Sequence, residues 1–424
     1  MKKQICAILI LINLMSNAGL LLAAEETLSS AEALSLDQSL RIAYVKNPRM
    51  IEARKSISAA KGRWIQAEAL PDPELELEVG GYKKNEDGVR DKSLDAVSVS
   101  QPLDPLGTRF LRGRIAYDSV RIAKGDLNLV WGEARKQIIE LYARIQAEEK
   151  AQEIALDNLN ATRQFFTRVE TRFQSGNALQ SDAIRARIEV SRAENDLLIR
   201  QKNLKVSKGE MNLGLGRSVE SPLSLSESLE YEALRYEYEK IKSVALEQRA
   251  DIRNEKTRLS SRKKGFWSAL LKTFFPQMAI GVERTTEEYE KDTSLLLKAS
   301  YPLWGFNLGA VKEAKAEKDI QKVRLEALER QVGLEVYRAF LEAELTDLQV
   351  TLQKKALDEA NELLRQITLQ YESGEVPFLT YLENIKTIKE TRLAYFNVLK
   401  DYKEKVAELE RVIQATPAPE GVKQ

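Results

Sequence analysis

Two stretches of roughly sixty-five residues each run without a proline, and this limits the available folds more than any other feature of the chain. They extend from about Gly107 to Phe173 and from about Phe306 to Tyr371. In the first, Ala134, Ile138, Leu141 and Ile145 step by 4, 3 and 4, and Leu159, Thr162, Phe166, Val169 and Phe173 step by 3, 4, 3 and 4. In the second, Leu325, Leu328, Val332, Val336, Ala339 and Ala343 recur at the same helical period. Such spacing gives a helix with a narrow apolar stripe. At about 1.5 Å per residue, a helix of some 65 residues is roughly 100 Å long, which no compact globular domain needs. Flanked by Lys, Arg and Glu, stripes of this kind by themselves fit the seam of an antiparallel coiled coil.

The long stretches are copies. Ser175-Gly176 matches Ser373-Gly374 at an offset of 198, Gln101-Pro102-Leu103 matches Tyr301-Pro302-Leu303 at 200, and Leu70-Pro71 matches Phe275-Pro276 at 205. Ordered features with a slowly drifting offset mark a tandem duplication with small insertions. The expected organisation is a first repeat over 25–230, a second over 231–415 and a disordered tail over 416–424. Each half reads as helix, two strands, very long helix, tight turn and long helix.

In the first half, Ser35 to Gln38 has the form of a capping box. Asn47-Pro48 opens a second helix with proline at its first position, and Pro71-Asp72-Pro73 stops it near Ala69. Glu74 to Val79 alternates charged and apolar residues, as does Ala96 to Ser100 with small residues, which predicts half-exposed strands over about 74–81 and 93–101. A polar loop, Tyr82 to Lys92, is expected between them. The second half repeats the pattern with strands over about 277–285 and 293–301. The long helical hairpins are expected over 107–216 and 306–413.

The first residues set the compartment. Lys2 and Lys3 precede an apolar run that ends in small residues at Ala24, the layout of a secretory signal peptide over 1–24. A transmembrane anchor is the other reading, but Asn13, Ser16, Asn17 and Gly19 interrupt a run that must reach about 20 apolar residues. The only cysteine, Cys6, lies inside this segment, and the chain has no histidine. The commonest general base, the commonest metal ligand and the thiolate nucleophile are therefore all absent from the mature chain. No phosphate-binding glycine loop or catalytic carboxylate context is present either, so an enzyme, a cofactor and a metal site are not expected. Removing Lys2 and Lys3 from 65 basic residues leaves 63 against 64 acidic ones, which gives no footprint for nucleic acid.

Four short strands leave open edges, and a closed membrane barrel needs at least about eight strands. Closure thus requires two or more copies; three bring twelve strands. In a barrel, Leu75, Leu77 and Val79 face lipid, and Glu74, Glu76 and Glu78 face the lumen. The same residues also suit a solvated soluble hairpin.

At this point the residues resemble the TolC family of outer-membrane efflux proteins, over nearly the whole mature chain. Leu34 to Leu40, Asn47-Pro48 and Leu70 to Leu75 are similar to its N-terminal signature, and Gln101 to Leu103 to its entry into the long helix. Arg172 to Gly176, followed by Asp182 to Ala186, is similar to the family's Arg-x-x-x-Gly turn and Asp-Val-Leu-x-Ala. The compact length resembles the CzcC-like branch, associated with metal and small-compound efflux. The resemblance implies a mainly α protein with a small β part: a homotrimer whose α-helical barrel, in the periplasm, is continuous with a 12-stranded transmembrane β-barrel in outer-membrane lipid. It also implies a periplasmic adaptor (membrane fusion) protein and an inner-membrane transporter as partners, in a tripartite pump or type I secretion system.

By that resemblance, Arg172, Gly176, Asp182, Ile184 and Ala186 correspond to the adaptor-docking groove. The second half keeps type at Gly374 and Leu382 but has Gln370, Thr380 and Asn384 elsewhere. Glu372 and Glu375, repeated around a trimer, are candidates for an acidic gate ring at the periplasmic mouth; solvated glutamates outside the lumen are the simpler reading. The competing function is a soluble periplasmic coiled-coil adaptor or spacer.

Overall fold

In the computed structural model the described residues are 33–79, 82–84, 90–92, 95–105, 107–287, 290–301 and 308–414. The expected signal segment and tail lie outside them. Ser35 does open the first helix reciprocally: its N–H donates to Gln38 Oε1 at 2.9 Å, and the Gln38 N–H donates to Ser35 Oγ at 3.2 Å. That helix, α1 (Leu36–Lys46), is followed by α2 (Pro48–Glu68), where Asn47 Oδ1 accepts from the Arg49 N–H at 2.9 Å. Strand β1 (Glu74–Val79), the short pair β2 (Tyr82–Lys84) and β3 (Arg90–Lys92), and β4 (Asp95–Leu103) come next. Helices α3 (Thr108–Gln174), α4 (Gln180–Gly214), α5 (Tyr238–Gln248) and α6 (Ala250–Phe274) lead to β5 (Gln277–Glu287) and β6 (Glu290–Ser300). Helices α7 (Leu308–Glu372) and α8 (Phe378–Ile413) complete the described chain. No described helix is long and apolar enough to cross a membrane.

The four main strands form one antiparallel sheet in the order β1-β4-β5-β6, and β2 pairs with β3 alone. The β2-β3 pair occupies the stretch expected to be a loop. Its ladder is formed by backbone groups in a segment without apolar alternation, so period-two reading has nothing to detect there.

Contacts divide the chain into two compact units, and each draws on both sequence halves. The strand-bearing unit takes residues 43–137 and 232–355 and continues from 401. Its core joins Ile241 and Ala245 of α5, Ile252 of α6, Val332, Val336, Ala339 and Ala343 of α7, and Leu409, Val412 and Ile413 of α8. Beside it, buried Arg249 pairs with Asp251 at 2.6 Å and Glu335 at 2.9 Å. Burial opposes the guanidinium's charge, but these two carboxylates outweigh it.

The turn-bearing unit takes residues 138–231 and 356–400 with the start of α1. There α3 meets α4 through Phe165, Val169, Ala183 and Ala186, and α7 meets α8 through Ala360, Ile367 and Ile388. The alanines let α3 and α4 approach closely.

Candidate functional site

Two surfaces carry the expected site residues. The first is the sheet. Its register places Leu75, Val99, Val282 and Leu295 side by side across all four strands, each 49–75% exposed. Leu77, Val97, Ile280 and Leu297 extend this face along the strands and are exposed as well. A row of large apolar side chains facing outward from every strand is unfavourable in water and suited to hydrocarbon.

The opposite face is polar and concave. Ala96, Ser98 and Ser100 are buried there, and Glu76 of β1 pairs with Lys298 of β6 at 2.9 Å although the two strands are opposite edges of the sheet. Small residues permit that curvature. At Gly281 an added Cβ would meet Val99 O at 2.3 Å and Ser100 Cα at 2.7 Å, so no larger residue fits without moving backbone. Glu74, Glu76 and Glu78 lie on this face by alternation and are exposed.

The second surface is the pair of helix turns, which share one geometry. Gly176 (φ +76) and Gly374 (φ +82) sit in the left-handed region. The Asn177 N–H donates to Arg172 O at 2.8 Å, and the Glu375 N–H donates to Gln370 O at 2.9 Å. These six-to-one bonds satisfy carbonyls that a helix end leaves unpaired, and they need a residue tolerant of positive φ. Ser175 and Ser373 hydroxyls donate to those same carbonyls.

Around the first turn, Arg172 and Ile184 are exposed, Asp182 is half-buried in the first turn of α4, and Ala186 is fully buried. Ala186 therefore shapes the α3–α4 contact and presents no surface. Ile184 continues with Arg187, Ile188, Ser191, Arg192 and Asn195 into an open groove along α4. Around the second turn, Glu375 is exposed and Leu382 half-buried, while the Glu372 side chain lies outside the described residues.

A residue that sequence reasoning passed over joins the two turns. The Tyr371 ring stacks on Tyr381 (centroids 4.5 Å apart) and lies 6.0 Å from Phe165. Burial raises its phenol above the ordinary range, against the opposing charges of Arg172 and Arg168. Further along, Lys389 of α8 pairs with Asp196 of α4 at 2.7 Å. The sequence signal was available, since Tyr371 occupies the place of Phe173 in the first repeat. Among the described residues no group of His, Cys, Asp or Glu is placed to hold a metal ion.

The chain matches the family model described as "Outer membrane efflux protein" over residues 40–216 and 242–413. It is 21% identical over 394 residues to the cobalt-zinc-cadmium resistance protein CzcC of Cupriavidus metallidurans, covering 91% of each chain. Its fold is similar to that of the Campylobacter jejuni CmeC outer membrane channel, with a TM-score of 0.77, 13% identity, and 90% and 87% of the two chains covered. It is also similar to the Neisseria gonorrhoeae MtrE outer membrane channel in its open state, with a TM-score of 0.74, 16% identity, and 89% and 88% covered. With both long hairpins and both strand pairs inside the matched region, the chain belongs to the outer membrane efflux protein family and is an outer-membrane channel for efflux.

Proposed function

We propose that three copies of this chain close a 12-stranded barrel over a helical duct, and that the duct is the last stage of a tripartite pump for divalent transition-metal cations. The observation that carries the reading is the continuous apolar row on one face of a four-stranded sheet with two unpaired edges. Such a sheet is complete only when neighbouring copies pair with β1 and β6 and lipid covers the row. An exposed stripe on α7, running through Leu334, Leu341, Leu345, Leu348 and Leu352, asks for the same neighbours.

The likeness to a cobalt-zinc-cadmium resistance protein supports metal cations as cargo. So does the polar sheet face, where Glu74, Glu76, Glu78 and Glu283 outnumber Lys298 and would line the lumen in three copies. A duct conducts without a resident site. Arg172, Gly176, Asp182 and Ile184, with Gly374 and Leu382 at the second turn, form the surface offered to the periplasmic adaptor, which in turn connects to an inner-membrane transporter. Ala186 acts in that surface only through packing. Glu372 and Glu375 are proposed as the acidic ring at the mouth. Residues 1–24 are proposed as the export signal, and 25–230 and 231–415 as the two repeats.

Planar-bilayer recordings test this. The wild type is expected to prefer cations over anions, and Glu76→Gln with Glu78→Gln to weaken that preference. A pore indifferent to these changes removes the lumen assignment; conductance unaltered by both Glu372→Gln and Glu375→Gln removes the gate.

A further inference from the structure

The sheet has an end where helices meet strands, and that end is built for more than a connection. Its register brings three helix termini together. The chain passes from α2 into β1 beside Ser100, from α6 into β5 beside Leu103, and from β4 into α3. Exposed within about two turns of these termini are Ile65, Phe110, Trp267 and Phe274. Lys263, Trp267 and Phe274 lie on one face of α6 by helical spacing.

The apolar row of the sheet alone is short for a membrane. On the outward face of β5 the large apolar residues run from Met278 to Val282, about 14 Å along the strand and about 10 Å of height at a barrel tilt near 40°, against an apolar band of about 25 Å. The exposed aromatic side chains at the helix termini add apolar height at this end.

The cations there fall into two groups. Arg109 and Arg112 donate to the last carbonyls of α2, Arg112 also pairs with Asp104, and Lys264 pairs with Asp118. Arg63 and Lys263 make no ion pair among the described residues, and Arg114 meets only the Phe110 ring, at 5.2 Å.

The repeats sharpen the contrast. Lys61-Gly62-Arg63-Trp64 matches Lys264-Gly265-Phe266-Trp267, and each tryptophan stands ten residues before its strand, which begins at Glu74 or Gln277. Trp64 is used internally, lying edge-on to Tyr117 at 5.2 Å and donating to Glu68 Oε1 at 2.8 Å. Its twin Trp267 is 57% exposed, and among the described residues its ring meets only that of the adjacent Phe266.

We propose that this collar binds anionic phospholipid headgroups of the leaflet on the helix side, with Phe274 and Phe110 at the edge of the hydrocarbon, Trp267 at headgroup depth and Arg63, Lys263 and Arg114 on the phosphates. The proposal rests on the reading of the sheet as a lipid-facing barrel wall. Amphipathic aromatic side chains favour this depth, and cations beside an anionic surface are each favourable there.

The full chain is reconstituted into vesicles of equal phosphatidylcholine and phosphatidylglycerol, and the lipids it retains after mild detergent release are identified by mass. The wild type is expected to retain phosphatidylglycerol several-fold over phosphatidylcholine. Lys263→Gln with Arg114→Gln is expected to bring that enrichment down to about equal retention of the two lipids, while the protein still floats with the vesicles in carbonate. Equal retention of both lipids by wild-type protein that floats overturns the collar and leaves the barrel standing. Protein that washes off the vesicles overturns both. A double variant that keeps its lipid preference but loses oligomeric mass makes the collar a contact between copies, which also overturns the proposal.

Discussion

Gly281 shows how one missing atom sets a curvature. A Cβ there has no room, so Gly281→Ala must push β5 away from β4 and is expected to lower stability by about 2–3 kcal/mol. Gly62, in the middle of α2 with open space around it, is the control: Gly62→Ala is expected to stabilise by about 0.5–1 kcal/mol. Thermal melting of the two variants in detergent checks both, and equal effects would remove the curvature argument. Glu408 makes a pH prediction of definite sign. Burial alone would raise its carboxyl, but hydrogen bonds from Arg411 and Lys136 hold it below the ordinary range. A depressed carboxylate stabilises above its unfolded value of about 4.3 and loses that contribution as pH falls through the folded value. Acid titration below about pH 4 should therefore unfold the wild type along a steeper curve than Arg411→Gln. Identical curves would show that Glu408 is not among the groups responsible.

At the scale of elements, the helices were the most legible because their signals are periodic and redundant. Ser35 with Gln38, Asn47 with Pro48, and the glycines at 176 and 374 each announce a terminus by chemistry the backbone itself requires. The main strands were legible through alternation at Leu75, Leu77, Val97 and Val99. The β2-β3 pair was not, because its ladder carries no side-chain pattern. Burial of Ala186 was also invisible, since small residues read alike whether they face a partner or a neighbouring helix. Tyr371 was hidden differently: its role depends on Phe165 and Tyr381 arriving from separate helices. The exposed α7 stripe gives an element-scale prediction. Leu345→Glu with Leu348→Glu should reduce the particle in mild detergent from a mass near three chains to smaller species, read by light scattering with detergent subtracted. A trimer of unchanged mass would show that the stripe is not the seam between copies.

For the whole molecule, the repeats written in sequence are not the units that pack. Each compact unit combines segments from both halves, and this could not be read from the duplication, because a repeat records descent while packing follows contact. The placement of Leu409, Val412 and Ile413 in the same core as Ile241 and Val332 sets the timing of biogenesis. A polypeptide threaded across the inner membrane from its amino end delivers α8 last, and until then that core lacks a wall. The emerging chain thus spends its transit with α5 and α7 unsealed, as an open client that must be shielded from aggregation and proteolysis before it can assemble.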